Sequence, residues 1–195
     1  MDCCKQHHDD AQHIERNGTK HVAIVGSPNV GKSVLFSRLS RTYVTASNYP
    51  GTTVDVTRGQ LKLDAATARV TDTPGMYSLA PLTEEEQVAR TILTDERPDV
   101  VVHVVDAKKV RQMLPQTLQL IEAGLPVVLV LNIMDEARRE GIEIDTAKLS
   151  ERLGIAVVPT VSTTGRGVDK LKQVIAGMLS AAPLAPDRLD LVHYS

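Results

Sequence analysis

The sequence has few aromatic side chains and no tryptophan. Its 195 residues include one phenylalanine and four tyrosines, so it lacks the aromatic surface on which proteins stack nucleic-acid bases. An excess of one charge is missing as well, because 22 Lys and Arg face 24 Asp and Glu. A nearly balanced chain gives no electrostatic signal toward nucleic acid or an anionic membrane. We therefore expect no nucleic-acid partner.

Cysteines and long apolar runs are also scarce. The two cysteines, Cys3 and Cys4, are neighbours, and neighbouring cysteines rarely bridge each other, so a disulfide framework is excluded and a reducing compartment fits. No apolar run approaches the roughly 20 residues that span a bilayer, and the polar N-terminus is unlike a signal peptide. We expect the chain as given to be a soluble intracellular domain.

The chain does contain a regular alternation of short apolar runs and helical patterns. Nearly continuous β-branched runs predict strands buried on both faces of a parallel sheet, and these runs are 21–26, 67–72, 99–106, 126–132 and 155–160. Segment 55–63 alternates polar and apolar side chains and predicts an antiparallel edge strand. Helices are predicted at 32–41, 83–96, 110–123, 145–153 and 168–181. The alternation indicates a doubly wound α/β fold with a mostly parallel six-stranded sheet, one antiparallel edge strand and about five helices.

The two ends of the sequence differ from this domain, which we place at 21–182. Residues 1–20 carry almost no apolar side chains and are expected to form a flexible leader. Their "CCKQHH" stretch offers ligands for Zn²⁺ or Fe²⁺, but the spacing fits no closed structural zinc motif. Residues 183–195 are expected to be a linker. His103, in the middle of a predicted strand, is expected to be a hydrogen-bonded core histidine and not a ligand.

The segment "GSPNVGKS", residues 26–33, follows the first predicted strand and precedes the first predicted helix. It fits the phosphate-loop pattern G-x-x-x-x-G-K-[ST] in the strand–loop–helix context that the pattern requires. Its glycines let backbone N–H groups cradle the β-phosphate, and the helix N-terminus adds partial positive charge. Lys32 is expected to reach the β- and γ-phosphates, and Ser33 to ligate Mg²⁺. The nucleotide-binding residues predicted here are Gly26, Ser27, Pro28, Asn29, Val30, Gly31, Lys32, Ser33 and Val34.

Two later strand ends carry residues suited to a purine base. Asn132 and Asp135 have the spacing N-x-x-D, and a carboxylate there can accept hydrogen bonds from guanine N1 and N2, a donor pair that adenine lacks. The backbone N–H of Thr163 in "VSTTG" is suited to guanine O6. Alone, N-x-x-D is equally a helix N-cap signal, but its distance from the phosphate loop favours guanine. The residues predicted on the base side are Asn132, Met134, Asp135, Ser162, Thr163 and Thr164.

Two further segments have the character of nucleotide-dependent switches. In "VTDTPGMYS", Asp72 ends a strand and can hold Mg²⁺ through water, and the Gly75 N–H can meet the γ-phosphate. T-P-G is also ordinary turn chemistry. In "SNYPGTTVD", Thr53 is the candidate that closes on Mg²⁺ when the γ-phosphate is present, with Gly51 beside it and Thr52 as the alternative threonine.

These segments together resemble the G domain of the bacterial ferrous iron transport protein B family, FeoB, a TRAFAC-class, Ras-like P-loop GTPase. The resemblance covers about residues 20–195 and rests on "PNVGKS", "NYPGTTVD", "DTPGMYSL", "NIMD", "VSTTGRGVDKL" and "LVHYS". Ser27 departs from the Asn that the family often has. The resemblance implies an enzyme that converts GTP to GDP and phosphate, and a switch that regulates or gates a ferrous iron transporter.

The resemblance also implies partners and a location. Family members continue into a helical spacer and a membrane permease domain, so we expect this chain to be a piece of a longer protein at the cytoplasmic face of the bacterial inner membrane. A homo-oligomer is left open. The rival interpretations are a soluble K⁺-dependent GTPase of ribosome assembly or tRNA modification, and a nucleotide-sensing interaction module in which hydrolysis is incidental.

Slow hydrolysis is expected from the residues near the γ-phosphate. Met76 stands where Ras-like enzymes place a glutamine, and no arginine is an obvious finger, since Arg58 fits a solvated charge. In the K⁺-activated branch of these GTPases, an Asn at the place of Asn29 helps to hold K⁺, and the carbonyls of Ser47 and Tyr49 would complete the shell. Alternatively, Asn29 only satisfies its turn through an Asx hydrogen bond. The residues predicted to act in catalysis are Lys32, Asn29, Thr53 and Gly75.

Overall fold

The structure is a computed structural model that describes residues 19–63 and 67–181. The predicted linker 183–195, and the predicted leader apart from its last two residues, lie outside the described residues. The strands are β1 Lys20–Val25, β2 Ser40–Asn48, β3 Asp55–Lys62, β4 Thr67–Asp72, β5 Val100–Asp106, β6 Val127–Asn132 and β7 Val157–Pro159. The helices are α1 Lys32–Leu39, α2 Glu84–Thr94, α3 Val110–Glu122, α4 Met134–Arg139, α5 Thr146–Leu153 and α6 Val168–Ser180.

The strands form one sheet in the order β2-β3-β4-β1-β5-β6-β7. Strands β4, β1, β5, β6 and β7 are parallel neighbours, while β3 runs antiparallel to both β2 and β4. The predicted doubly wound α/β class, with a mostly parallel sheet, is therefore confirmed. The strand number differs, because the sheet has seven strands and not six.

The additional strand is β2, and it occupies the edge that was predicted for segment 55–63. The predicted first helix ran to residue 41, but α1 ends at Leu39 and Ser40 is already extended, with φ −85° and ψ 105°. Strand β2 pairs with β3 alone, and Val44 in it is 56% exposed. A strand at the edge, open to water, needs no apolar run, so hydrophobic patterning does not reveal it.

The central strands are buried because helices cover both faces of the sheet. Every residue of β5 and β6 is buried. One face packs against α1 and α6 through Leu35, Leu39, Leu171 and Ile175. The opposite face packs against α2 and α3 through Val88, Ile92 and Leu120. This enclosure explains the nearly continuous apolar runs of the parallel strands.

Helix α4 is the sixth helix and was not predicted. Its six residues span less than two turns and give too little periodicity to recognise. It starts after Ile133, which has a φ of 61°, and no side chain caps its first turn. The N-cap interpretation of the N-x-x-D spacing is therefore wrong. Among residues 19–63 and 67–181, no helix is long and apolar enough to cross a membrane.

Candidate nucleotide site

The phosphate loop connects the central strand β1 to α1 at the carboxyl end of the sheet, where open α/β folds bind ligands. Gly26 has φ 146°, and a Cβ there would lie 2.3 Å from the carbonyl oxygen of Val104. Gly31 has φ 88°, and its Cβ would lie 2.5 Å from Asn132 Nδ2. Only glycine fits either position, so the loop is built to pass close to its neighbours.

Lys32 begins α1 and is turned back over the loop. Its Nζ donates a hydrogen bond to the Ser27 carbonyl oxygen at 2.9 Å, and its side chain is buried. Burial lowers the pKa of Lys32, and the charge of Asp72 opposes that shift. A buried ammonium held by one neutral carbonyl is available to an anion that enters the loop.

Asp72 and Ser33 provide oxygen ligands next to the loop. Asp72 ends β4 and pairs in register with Ile24 of β1, and its Oδ1 is buried with no hydrogen-bond partner among the described residues. Burial raises the pKa of Asp72, while a hydrogen bond with Ser33 and the charge of Lys32 lower it. An orphaned carboxylate oxygen beside a hydroxyl fits a divalent cation that prefers oxygen ligands, such as Mg²⁺. These two side chains would hold it.

The segment after Asp72 lies directly on the phosphate loop. The Thr73 N–H and hydroxyl both donate to the Ile24 carbonyl, at 3.1 and 2.9 Å, and the Met76 N–H donates to the Gly26 carbonyl at 3.1 Å. A Cβ at Gly75 would lie 2.7 Å from Pro28 Cγ. The backbone of Gly75 thus lies against the phosphate loop.

The side chain of Met76 points into the core and is fully buried. Its carbonyl accepts a hydrogen bond from Gln116 Nε2 of α3 at 2.9 Å. Gln116 Oε1 in turn lies 3.1 Å from His103 Nε2, and Thr117 Oγ1 lies 3.1 Å from His103 Nδ1. His103 is thus a hydrogen-bonded core histidine, as expected. Met76 offers no polar side-chain atom to a water at the γ-phosphate position.

The segment between β2 and β3 is folded into a turn of its own. Thr52 donates to the Tyr49 carbonyl through both its N–H, at 3.0 Å, and its hydroxyl, at 2.9 Å. The Tyr49 N–H donates to the Val54 carbonyl at 2.8 Å. Thr53 is exposed, and Ser47 pairs with Val56 within the β2–β3 ladder. In this conformation Thr52 closes the turn, and Thr53 is left accessible to solvent.

The structure does not bring every predicted K⁺ ligand together. Asn29 is exposed with φ 63°, and within the described chain its side chain makes no hydrogen bond, so the Asx interpretation is wrong for this conformation. The Tyr49 carbonyl is engaged by Thr52. Within residues 19–63 and 67–181, no hydrogen bond joins the segment 47–54 to the phosphate loop.

Asn132 joins the phosphate side of the site to the base side. Its Nδ2 donates to the Val30 carbonyl at 2.9 Å. Its Oδ1 accepts from the Ser162 N–H at 3.0 Å, the Ser162 hydroxyl at 2.8 Å and the Thr160 hydroxyl at 3.1 Å. Asn132 is 2% exposed, and both polar atoms of its side chain are hydrogen-bonded within the protein. It therefore acts on the site by tethering two loops.

Asp135 lies in the first turn of α4, partly exposed, with no hydrogen bond or ion pair to the described chain. Its carboxylate is available to a base. Of the other predicted residues, Val30 and Met134 are buried, and Pro28, Val34, Thr163 and Thr164 are exposed.

Three contributors to the site were not predicted: Arg38, Gln116 and Glu86. Arg38 of α1 binds the carbonyls of the base-side loop. Glu86 of α2 accepts from the Leu82 N–H at 2.8 Å and the Tyr77 N–H at 3.2 Å, and these bonds lower its pKa. Arg38 and Gln116 contact residues that are distant in sequence, and short-range patterning carries no signal for such contacts. For Glu86 a signal exists, because Thr83-x-x-Glu86 at the start of α2 is a capping motif.

Arg58 also differs from expectation. Its Nη2 lies 2.6 Å from Glu96 Oε1, and the Glu96 side chain is 2% exposed. Arg69 Nη2 approaches the other oxygen of Glu96 at 3.3 Å. Arg58 is therefore a half-buried charge paired with a buried carboxylate, and the prediction of a solvated charge is wrong.

Comparison with known proteins identifies the family. The family model described as ferrous iron transport protein B matches residues 20–175. The Fe(2+) transport protein A/Fe(2+) transporter FeoB fusion protein of Porphyromonas gingivalis is 43% identical over 151 residues, which are 77% of this chain and 18% of that protein. The Fe(2+) transporter FeoB of Salmonella typhimurium is 36% identical over 178 residues, 89% of this chain and 22% of that protein. The chain thus spans about a fifth of the length of these relatives.

Solved structures agree with the sequence relatives. The cytosolic domain of T. maritima FeoB in a GMPPNP form superposes with a TM-score of 0.81 at 36% identity, covering 85% of this chain and 66% of that one. The FeoB G-domain from Methanococcus jannaschii gives a TM-score of 0.73 at 36% identity, covering 84% of this chain and 99% of that one. Taken with the phosphate loop and the Ras-like sheet, these matches show that the chain belongs to the ferrous iron transport protein B family and corresponds to its P-loop GTPase G domain.

Proposed function

We propose that the chain binds GTP and GDP together with Mg²⁺, hydrolyses GTP slowly, and acts as the nucleotide switch that regulates or gates ferrous iron transport by a longer protein. The observation that carries this proposal is the tether through Asn132. It joins the loop that presents Lys32 to the loop that presents the Thr163 N–H. A phosphate site and a base site at fixed separation are what a purine nucleotide requires.

The chain's own residues support distinct roles at the γ-phosphate. Lys32 supplies a buried positive charge, and the Gly75 backbone lies against the loop, where its N–H would meet the γ-phosphate. Mg²⁺, held through Ser33 and Asp72, would neutralise charge on the phosphates. Thr53 is exposed within the turn 49–54, and it would reach this site when the segment closes. Because Met76 is buried, no side chain at that position orients the attacking water, which supports a slow rate.

We further propose that K⁺ stimulates hydrolysis through the free amide oxygen of Asn29. The carbonyls of Ser47 and Tyr49 would complete the shell after a rearrangement, since Thr52 occupies the Tyr49 carbonyl in the described conformation. An amide oxygen and backbone carbonyls are hard ligands suited to such a cation. The cation would place positive charge where an arginine finger acts in other GTPases.

Nucleotide binding and phosphate release under single-turnover conditions test the proposal. We expect the chain to bind GDP and GTP, to discriminate against ATP, and to release phosphate from bound GTP in the presence of Mg²⁺. GTP binding without any phosphate release would leave a nucleotide-sensing module and contradict the enzymatic role. The family assignment argues against a soluble GTPase of ribosome assembly or tRNA modification.

A further inference from the structure

Arg38, in the last turn of α1, reaches across to the loop 161–166 on the base side of the site. Its Nε donates to the Ser162 carbonyl oxygen at 3.1 Å, and its Nη2 donates to the Thr163 carbonyl oxygen. The planar guanidinium holds its N–H donors in a fixed fork. One side chain therefore fixes two consecutive peptide groups of the loop.

The same loop is held from its other side by Asn132 and by its own turn. The Ser162 N–H donates to Asn132 Oδ1, while the N–H groups of Thr164 and Gly165 donate to the Val161 carbonyl at 3.2 and 2.9 Å. The Arg166 N–H donates to the Thr164 hydroxyl at 3.4 Å. Within residues 162–166 of the described chain, this leaves the Thr163 N–H as the backbone donor without an acceptor.

The direction of that donor follows from the contact with Arg38. A trans peptide is planar, so its C=O and N–H groups point in opposite directions, and no described peptide bond is cis. Because the Ser162 carbonyl faces Arg38, the Thr163 N–H of the same peptide faces away from Arg38. Turning this peptide would require the Ser162 carbonyl to leave the guanidinium.

We propose that Arg38 is a positioning residue for base recognition, which holds the Ser162–Thr163 peptide so that the Thr163 N–H meets an oxygen at purine C6. This inference rests on the proposed guanine nucleotide site and adds a residue that does not itself touch the base. It also means that one helix serves both ends of the ligand. Helix α1 begins with the phosphate-loop Lys32 and carries in its last turn the arginine that orients the base-side donor.

The ligand class selected in this way is a 6-oxopurine nucleotide. Guanine and hypoxanthine both carry the C6 oxygen, whereas 2-aminopurine keeps the 2-amino group and lacks the oxygen. Loss of Arg38 should weaken binding of the guanine and hypoxanthine nucleotides and leave binding of the 2-aminopurine nucleotide unchanged. Loss of the Asp135 carboxylate should instead weaken binding of the hypoxanthine nucleotide less than binding of the guanine nucleotide, because hypoxanthine has no 2-amino group to donate to that carboxylate.

The test measures the affinities of the full chain for GDP, IDP and 2-aminopurine riboside diphosphate. In Arg38→Ala we expect affinities for GDP and IDP to fall about tenfold, as for one hydrogen bond lost or misdirected, with the 2-aminopurine nucleotide unchanged. Arg38→Lys should give an intermediate loss, because an ammonium lacks the fork that reaches both carbonyls. The unchanged third ligand also reports that the variant is folded.

Arg166→Ala is the matched control. Arg166 is an exposed arginine of the same loop, and within the described chain its side chain makes no hydrogen bond or ion pair. Its removal should leave all three affinities unchanged. An equal loss for all three ligands in Arg38→Ala, no loss for any, or the same loss in Arg166→Ala would overturn the role of Arg38. If the unsubstituted chain did not prefer GDP to the 2-aminopurine nucleotide, the proposed guanine site itself would be wrong.

Discussion

At the scale of single residues, Asn132 and Asp135 differ in how the protein uses their side chains. Both lie at the carboxyl end of the sheet, Asn132 at the end of β6 and Asp135 in the first turn of α4. Yet every polar atom of the Asn132 side chain is used within the protein. Asn132 holds the loops, so on the proposed function Asp135 is the residue of the N-x-x-D motif that contacts the base.

Replacement of Asp135 by asparagine tests that division of roles. We expect Asp135→Asn to weaken GDP binding by about 1–3 kcal/mol, because the amide presents a donor to the guanine donors and leaves hydrogen bonds unmade. The preference should shift toward xanthine nucleotides. Isothermal titration with GDP and XDP measures both effects. Asp169→Asn, in the first turn of α6, is the matched control, and equal GDP affinities in the two variants would contradict the assignment.

The free amide of Asn29 leads to a prediction about monovalent ions. We expect GTP hydrolysis to be faster in K⁺ than in Na⁺ at matched ionic strength, by less than the roughly 10³–10⁵ of an arginine finger. Asn29→Ala should abolish most of the difference and leave GDP affinity nearly intact, since Lys32 and the loop N–H groups remain. Single-turnover rates in the two salts measure this. A K⁺ effect that persists in Asn29→Ala would remove only the ligand assignment to this residue.

Thr53 is exposed and Thr52 is bonded in the described conformation, so the two threonines should respond differently to removal. Thr53→Ala should weaken binding of a non-hydrolysable GTP analogue and spare GDP, because only the triphosphate state closes the segment. Affinities for both nucleotides, measured also in Thr52→Ala, provide the comparison. Equal losses for GDP and the analogue in Thr53→Ala would show that Thr53 does not read the γ-phosphate.

At the scale of secondary-structure elements, α3 holds the segment after Asp72 through Gln116. Replacing Gln116 with leucine leaves the Met76 carbonyl and a His103 nitrogen buried without a partner. We expect Gln116→Leu to lower the free energy of unfolding by about 1–3 kcal/mol. Gln112→Leu, at an exposed position of the same helix, should change it by at most about 0.5 kcal/mol. Chemical denaturation compares the two variants, and similar stabilities would contradict the anchoring role of Gln116.

The secondary-structure elements differ in how well they can be predicted from the sequence. Buried parallel strands such as β5 and β6 can be recognised as continuous apolar runs, because helices cover both faces of the sheet. Strand β2 does not, because it lies at the edge and is largely exposed. Short helix α4 lacks the length for a periodic pattern. The contacts of Arg38 join residues 124 and 125 positions apart, so only the assembled fold brings them together.

At the scale of the whole molecule, two buried histidines make stability depend on pH. Burial lowers the pKa of His103 to about 4, with the charge of Lys32 acting in the same direction. Burial lowers the pKa of His21 to about 3, helped by Arg69 and Arg58 and opposed by Asp99 and Glu96. The unfolded chain thus takes up protons below its ordinary histidine pKa of about 6.5 while the folded chain does not. Stability is therefore complete above that pH and declines as the pH falls toward the folded values.

When the pH is lowered from 7 to 5.5, each of the two histidines should lower the free energy of unfolding by about 1 kcal/mol. Burial raises the pKa of Asp72, so this group favours the folded state as the pH falls and opposes the effect of the histidines. The contribution of one histidine is therefore obtained by comparing a variant with the unsubstituted chain. In His103→Gln we expect the loss of unfolding free energy over this interval to shrink by about 1 kcal/mol relative to the unsubstituted chain. Urea denaturation at the two pH values measures it, and an identical pH dependence in both proteins would show that His103 does not titrate on unfolding.

The strand order also sets the order in which the protein can be assembled as it is synthesised. Strands β2, β3 and β4 are neighbours in sequence and in the sheet, so they can pair early through short loops. Strand β1, made first, must wait for β4 and then for β5 before both of its edges are covered. The loop 161–166 leaves the ribosome after all seven strands. On the proposed function, a nascent chain therefore lacks the base-side part of its nucleotide site until all seven strands and that loop have emerged, and only then can nucleotide contribute its full binding free energy.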